Sequence, residues 1–226
     1  MAVVVGPRTQ MLSVLTAGLI YYVDAGNPNS IKLGESTWKD LGQSNNGTLT
    51  NGPTFNSSNG GSIVFDGTND RIEIGSDMFN PNSNFTISAW VNLDATSGNY
   101  TIVSDYSTSG SFQLRYKNGF GLQIIDSTVV LVGTFSSSET LATGTWYNIT
   151  VIRSSNTYTY YLNGSSVSTI TSSNTYDRGP QTLAANHFGT SEYWDGKIAQ
   201  VFAYSSALTA AEVLQNYNAL KGRFGL

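Results

Sequence analysis

Two short runs of alternating apolar residues, joined by an Asp-Gly turn, constrain the fold of this chain more than any other feature. They occupy residues 62–74, which read SIVFDGTNDRIEI. In both runs the apolar residues fall on every second position, which is the period of a half-buried strand. Asp66 and Gly67 suit a turn, because an Asp side chain can bond the backbone two residues on and Gly tolerates a positive φ. The stretch predicts a β-hairpin.

The same period of two recurs along most of the chain. Residues 85–93 (FTISAWVNL) alternate most cleanly and place Trp90 on the face opposite Phe85. Asn163-Gly164 separates two further runs, and this dipeptide is the strongest local signal for a tight hairpin. Residues 27–61, rich in Asn, Gly, Ser and Thr, predict a long loop instead. About a dozen short strands with frequent turn signals predict an all-β fold, a two-sheet antiparallel jelly-roll sandwich.

One short helix is predicted near the C-terminus, over residues 209–221. Thr209 can cap its first turn, and Glu212, three residues on, completes a capping box. Gly222 is expected to end the helix. With this helix, residues 18–226 are expected to form a single jelly-roll domain, preceded by an extended arm over residues 1–17.

The arm begins with three apolar residues, Val3, Val4 and Val5, which precede a Gly-Pro pair. An ordered arm of this kind needs a surface to lie on. Two alternatives stay open: the valines add an edge strand to their own sheet, or they pair with a neighbouring chain as a partner-docking segment.

Composition excludes several classes of partner and chemistry. Only 12% of the residues are charged, the net charge is −4, and the 11 Lys and Arg residues are scattered, so nucleic acid is not an expected partner. The chain has no cysteine, which excludes disulfides and thiolate metal sites. The apolar run at residues 11–23 is too short and too polar to span a bilayer, so no membrane insertion is expected.

A family resemblance is carried by five segments: residues 61–74, 85–91, 141–153, 161–164 and 193–213. In order and spacing they are similar to the laminin-G-like (LamG) jelly rolls of the concanavalin A-like lectin/glucanase superfamily, and they account for nearly all of residues 18–222. The resemblance implies the same fold and places Trp90 and Trp146 inside the sandwich. Residues 21–30 (YYVDAGNPNS) look like the version of this module that occurs in bacteriophage virion proteins.

The sequence lacks the acids that glucanases of this superfamily use. Those enzymes carry carboxylates alternating along one strand, because retaining hydrolysis needs two of them about 5 Å apart. No such string occurs, and Ala199-Gln200 stand where the family's last strand commonly carries an acidic pair. His187 is the only histidine and no GxSxG motif accompanies it, so it is expected to be a hydrogen-bonded loop residue. We therefore expect no enzymatic activity.

Calcium is the one cofactor that the sequence leaves open, because many members of the superfamily hold it in rim loops. Asp66, Asn69 and Asp70 could present three oxygen ligands from one turn. The alternative, which the sequence favours, is that the two aspartates cap the turn through backbone amides, since a single DGxxD stretch is poor in acids.

Aromatic residues in the predicted loops could form a platform for stacking a sugar ring. Tyr193 and Trp194 lie at a predicted loop tip and are the first candidates for ligand binding, with Tyr106 and Tyr116 near the middle hairpin. The alternative for Tyr193 and Trp194 is that they pack beneath a loop.

These features lead to one functional hypothesis and one rival. The hypothesis is a non-catalytic structural or binding module of a phage particle, either a capsid decoration (cement) protein or a fibre protein, located on the virion surface and aiding adhesion to glycans. Its partners would be capsid or tail proteins, host-surface glycans and further copies of itself in a homo-oligomer. The rival is a free, secreted carbohydrate-binding lectin domain. The phage context rests on the resemblance alone.

Overall fold

A computed structural model describes residues 13–105, 111–126, 129–132, 140–186 and 191–226. The predicted docking residues Val3, Val4 and Val5, together with Tyr106 and His187, lie outside the described residues.

The described ranges hold sixteen strands and one α-helix, which form a two-layer sandwich. The strands, numbered in chain order, are β1 (Leu19–Asp24), β2 (Thr37–Trp38), β3 (Gly47–Thr50), β4 (Thr54–Asn56), β5 (Ser62–Asp66), β6 (Arg71–Ile74), β7 (Phe85–Leu93), β8 (Asn99–Ser104), β9 (Gln113–Lys117), β10 (Gly121–Asp126), β11 (Val129–Val132), β12 (Trp146–Ser154), β13 (Thr157–Leu162), β14 (Ser165–Thr171), β15 (Thr182–Leu183) and β16 (Asp195–Tyr204). The predicted all-β sandwich with one C-terminal helix is confirmed.

The strands divide equally between two antiparallel sheets. The first sheet has the order β14-β13-β12-β7-β16-β5-β4, and β1 joins it by pairing with β16. β5 and β1 take successive stretches of the same edge of β16, because β5 pairs with residues 195–198 and β1 with residues 200–204. The second sheet has the order β11-β10-β9-β8-β15-β6-β3-β2.

The hairpin predicted over residues 62–74 is wrong. β5 belongs to the first sheet and β6 to the second, so the Asp-Gly turn carries the chain from one layer to the other. The apolar positions of both strands face the space between the layers, where Phe65 and Ile72 are buried. Alternation therefore reported the buried face correctly, but it carries no information about which strand is the partner. The hairpin predicted at Asn163-Gly164 is confirmed, and both residues have the positive φ of a tight turn, 50° and 78°.

The loop predicted over residues 27–61 is only partly correct. It contains the short strands β2, β3 and β4 and a 3-10 turn at Ser58–Gly60. Strands of two to four residues are too short to show a period. Trp38, fully buried, anchors β2 in the core.

The main core fills the space between the sheets. An aromatic cluster of Phe79, Phe85 and Phe112 closes one part of it, with ring centroids 4.4, 5.4 and 5.6 Å apart. Branched aliphatic residues from both sheets supply much of the rest: Ile63, Ile72, Ile87, Val91, Ile102, Val103, Ile149, Val151, Ile198 and Val201.

The helix α1 (Ala210–Leu220) covers the outer face of the first sheet. The predicted capping box is confirmed, since Thr209 and Glu212 bond each other's backbone amides. The α-helix ends at Leu220, within one residue of the predicted end, but Gly222 does not terminate it, because the chain continues as a 3-10 turn, Lys221–Phe224, and the glycine with a positive φ, 76°, is Gly225.

This C-terminal turn explains where two tryptophans lie. Trp90 and Trp146 are buried as predicted, but outside the sandwich rather than inside it. Phe224 stacks on Trp90 at a centroid distance of 4.1 Å and lies 4.8 Å from Trp146. The outer face of the first sheet is thus a second apolar layer.

The described end of the predicted arm lies on the same helix. The Leu15 amide donates to Oδ1 of Asn216 at 2.9 Å, and the Tyr204 hydroxyl donates to the Leu15 carbonyl at 3.0 Å. Within the described ranges, no helix is long and apolar enough to cross a membrane.

Gly196 provides a test of how closely the central strands approach. A Cβ added there would lie 2.2 Å from the Asn92 carbonyl oxygen, and the φ of 136° is unfavourable for any side chain. We expect Gly196→Ala to lower the free energy of unfolding by about 1–3 kcal/mol. Gly75, with no atom near its would-be Cβ, is the control, and Gly75→Ala should change stability by less than about 0.5 kcal/mol. Urea denaturation of both variants measures the difference; equal stabilities would contradict the packing described here.

Candidate functional site

An elongated groove lies at one end of the sandwich, and we call it the end groove. It consists of two adjoining cavities of about 420 and 290 Å³. Ile20, Phe79 and Asn80 line both cavities, so the two lie side by side. Its walls come from the β6–β7 connection (residues 77–84) and from residues 177–179, which precede β15.

Hydrogen bonds between distant segments hold the two walls together. The Asn82 side chain bonds the backbone of Tyr176 twice, donating to its carbonyl at 2.6 Å and accepting from its amide at 2.7 Å. The Asp77 carboxylate accepts from the Gly179 amide at 2.9 Å and from the Gln181 amide group at 2.6 Å. The groove is therefore built before any ligand arrives, as ligand sites usually are.

The close approach of the walls requires a glycine. A Cβ on Gly179 would lie 1.9 Å from the Phe79 carbonyl oxygen, so no other residue fits. The Met78 amide donates to the Pro180 carbonyl at 2.8 Å across the same contact. Both Met78 and Phe79 are buried, which fixes this connection to the core.

The rim of the end groove is polar and mostly neutral. Gln43, Asn80, Asn82, Ser83 and Asn84 are exposed amides and a hydroxyl along its length. The floor is apolar in character, since Ile20, Phe79 and Phe85 lie beneath, although the two phenylalanines are too deeply buried to offer a ring face.

Charged groups are concentrated at one end of the groove. Arg178 is exposed, and its side chain makes no hydrogen bond or ion pair within the part of the chain that the structure describes. Both oxygens of Asp77 are committed to the wall, so this carboxylate is not free for acid-base work. The arrangement can bind a ligand by neutral hydrogen bonds.

The structure corrects the predicted stacking role of Trp194. Its side chain is fully buried, donates its indole N–H to the Asn92 carbonyl at 3.3 Å, and packs edge-on against Tyr100. A ring with no exposed face cannot stack on a sugar. Tyr116 is also buried in the core and has no exposed ring face. Tyr193 is half-buried and lies outside the end groove.

Glu192, next to the predicted platform, has a role that the sequence did not reveal. It adopts a left-handed φ of 51° and accepts hydrogen bonds from Gln113 and Arg115 on the outer face of the second sheet. Arg115 also donates to Oε1 of Gln123, at 3.1 and 3.2 Å. The sequence signal for this network was the alternation of polar residues along β9, at Gln113 and Arg115. The members of this network satisfy one another, so it serves to anchor the turn before β16.

The candidate calcium ligands lie together in the turn between β5 and β6. Oδ1 of Asp66 accepts from the amides of Thr68 and Asn69 at 2.8 and 3.3 Å, and Oδ2 of Asp70 accepts from the Asp66 amide at 3.1 Å. Burial raises the pKa of the Asp70 carboxyl. Among the described residues, no three acidic or histidine side chains are placed to hold a metal ion. This geometry favours turn capping.

Comparison with known proteins identifies the fold. A family model, described as the concanavalin A-like lectin/glucanases superfamily, matches residues 66–214. A search of curated proteins found no match.

Solved structures with the same fold include one domain of an arabinanase, part of a toxin's binding domain and parts of sialidases. Domain 4 of AbnA, an extracellular arabinanase from Geobacillus stearothermophilus in complex with arabinotriose, is 15% identical with a TM-score of 0.69, and the match covers 88% of this chain and 98% of that one. The binding domain of Paraclostridial Mosquitocidal Protein 1 is 18% identical with a TM-score of 0.65, covering 90% and 52%.

A mutant of Trypanosoma rangeli sialidase that displays trans-sialidase activity is 14% identical with a TM-score of 0.68, and the match covers 95% of this chain. The chain spans about a third (35%) of the length of that sialidase. Likenesses at these identities establish the fold alone.

A calcium titration tests the two interpretations of the Asp66 turn. Because its carboxylates already accept backbone amides, we expect neither millimolar calcium nor EDTA to change the melting temperature. Differential scanning calorimetry gives the measurement. A rise in melting temperature with calcium, lost in Asp70→Asn, would instead identify the turn as a calcium site.

Proposed function

The chain belongs to the concanavalin A-like lectin/glucanases superfamily, and from that premise we propose that it is a non-catalytic carbohydrate-binding module that holds an extended sugar chain in the end groove. The observation that carries the proposal is a pre-built groove with a neutral polar rim. Its walls are tied by the bonds of Asn82 and Asp77, and most of its exposed rim groups are amides and a hydroxyl, with the charged residues Asp77, Asp177 and Arg178 at one end.

Neutral rims of this kind match the chemistry of sugars. A sugar presents hydroxyl groups, which donate and accept hydrogen bonds, and C–H faces, which pack on apolar surface. The amides of Gln43, Asn80 and Asn84 can both donate and accept, while Ile20 supplies apolar surface on the floor. Two adjoining cavities suit a ligand of more than one sugar unit.

Two of the relatives support a binding role. Domain 4 of AbnA matches over nearly its whole length and was solved with arabinotriose, and the mosquitocidal protein matches through its binding domain. The position of the family's acidic pair is occupied here by Ala199 and Gln200, both buried, with Gln200 donating to Asp24 at 2.6 Å. The proposal therefore assigns no catalytic residue.

A structural role in a phage virion is the second candidate function, with capsid or tail proteins, host-surface glycans and further copies of the chain as partners. Its support is the sequence resemblance at residues 21–30 and the scarcity of charge, 12%, which suits packing against other proteins. The two candidates are compatible, because a surface module of a virion can also bind glycans. The free secreted lectin is the alternative location.

The groove is tested by variants that alter its rim without touching its wall bonds. Gln43→Ala with Arg178→Ala removes two exposed side chains, and Ser83→Trp fills the smaller cavity. With arabinotriose as the first probe and a glycan array as the wider one, we expect each change to weaken binding at least tenfold, about 1.4 kcal/mol. Isothermal titration calorimetry gives the affinities.

The matched control is Lys32→Ala, which removes an exposed cation away from the groove. It should leave affinity and melting temperature unchanged. Binding by the wild type that survives Ser83→Trp would place the ligand elsewhere, and the absence of any glycan ligand across the array would refute the carbohydrate role.

Deletion of residues 2–10 tests the virion role separately. If Val3, Val4 and Val5 dock on another virion protein, the truncated chain should fold with an unchanged melting temperature but fail to enter the particle. Co-purification with particles, quantified by mass spectrometry, is the measurement. Normal incorporation of the truncated chain would remove the docking hypothesis and leave glycan affinity unaffected.

A further inference from the structure

The strand β14 forms one edge of the first sheet, and its outer side is open. Among the described elements it pairs with β13 alone. Thr169 and Thr171 in its second half are exposed, and the residues between and before them are only partly buried. An open edge of this kind offers its backbone N–H and C=O groups to a further strand.

The backbone groups of Thr169 and Thr171 are directed toward this open side. The Ser172 amide donates to the Asn156 carbonyl at 2.8 Å, so these two residues form a hydrogen-bonded position at the end of the ladder with β13. Hydrogen-bonded and non-hydrogen-bonded positions alternate along an antiparallel ladder. Thr171 and Thr169 therefore occupy non-hydrogen-bonded positions, and their N–H and C=O groups point away from β13.

β14 is long for an exposed edge of this sandwich. The other strands that end the two sheets, in the part of the chain that the structure describes, are β4, β2 and β11, with three, two and four residues. The second side of β1 is covered, because the Leu41 amide donates to the Tyr22 carbonyl at 2.7 Å and the Tyr22 amide donates to Asp40 at 2.8 Å. Proteins commonly protect an edge by keeping it short, and β14, with seven residues, is the exception.

β14 also lacks the residues that commonly block the addition of a strand. No charged residue and no proline occurs from Ser154 to Tyr176, a stretch that contains all of β13 and β14. The bulge in the pairing with β13 lies near the turn, between Tyr160 and Tyr161, and leaves residues 168–171 in regular register. Two copies of this edge can therefore approach each other without like charges meeting.

The helix α1 adds apolar surface beside the edge. It contacts β14, and Tyr217 packs on Gly164, the turn residue before β14, so closely that a Cβ there would lie 2.9 Å from the tyrosine ring. Leu214 lies one turn earlier on the same flank of the helix and is 46% exposed. A partner that pairs with β14 would approach this flank.

We propose that β14 is a docking edge for a second copy of this chain. The two β14 strands pair antiparallel about a two-fold axis, and the first sheets of both copies become one continuous sheet with both helices on the same face. A two-fold axis brings each residue close to its own counterpart, which a strand without charge tolerates. The backbone groups of Thr169 and Thr171 supply the new hydrogen bonds. The interface does not depend on the end groove, because β14 lines neither of its cavities.

Sedimentation equilibrium of the full chain tests the association. We expect a concentration-dependent equilibrium between monomer and dimer, and we expect Thr169→Lys to weaken the dimer at least about tenfold, because two ammonium groups then meet across the axis. Thr171→Lys is a second variant with the same expectation. Thr54→Lys, at an exposed position of the short edge strand β4, is the matched control and should leave the dimer unchanged.

The absence of cysteine allows the pairing itself to be tested. Thr169→Cys and Thr171→Cys are oxidised separately and as an equal mixture. Paired residues of an antiparallel ladder lie at Cα distances of roughly 4.5–5.5 Å, which a disulfide can span. At least one of the three preparations should give a covalent dimer on a non-reducing gel, and Thr54→Cys should give none.

Two results would overturn the proposal. A chain that stays monomeric at concentrations up to about 1 mM has no such interface. A dimer that both lysine variants leave intact, or that forms no disulfide in any of the three preparations, uses another surface. Glycan binding, measured on the same variants, should not change, so the docking edge and the end groove fail or succeed independently.

Discussion

Burial of β16 on both faces is the constraint on which the rest of the structure depends. Residues Ile198 and Val201 face the main core, while Phe202 and Tyr204 face outward and would be exposed without the helix. The chain solves this locally, because it turns directly after β16 into α1 and lays Val213 over that outer face. The apolar area removed from water on both sides makes β16 the shared support of β1, β5 and β7.

Features that depend on chain neighbours could be predicted from the sequence, and features that depend on distant segments could not. The capping box of Thr209 and Glu212 and the Asn163-Gly164 hairpin are decided by neighbours in the chain, and both were predicted correctly. The hairpin predicted at the Asp66 turn is wrong because the alternation of apolar residues identifies the buried face of a strand and not its partner strand. Trp90 was predicted to be buried, but its place between sheet and C-terminal turn depends on Phe224, more than a hundred residues away.

The end groove could not be predicted from the sequence, because its two walls come from distant segments of the chain. The end groove exists because Asn82 bonds Tyr176, 94 positions along the chain, and no local pattern marks that pair. Trp194 shows the opposite error. It lies in a stretch of sequence that resembles a loop and was a candidate for an exposed platform, yet its buried indole donates a hydrogen bond to the Asn92 carbonyl. The aromatic residues that the sequence offered for a surface platform are thus needed in the core.

The decisive contrast lies between polar groups that satisfy one another and polar groups that do not. Asp24 accepts from Gln200 and Arg223, and Glu192 accepts from Gln113 and Arg115, so these two acids hold segments together. The Ser62 hydroxyl and Oδ1 of Asn92 are buried but have no hydrogen-bond partner among the described residues. Seven buried side-chain atoms in the described part of the chain have no partner, and the Tyr21 hydroxyl and the Trp38 indole N–H among them lie in the main core, so an unpaired atom does not by itself mark a ligand site in this sandwich.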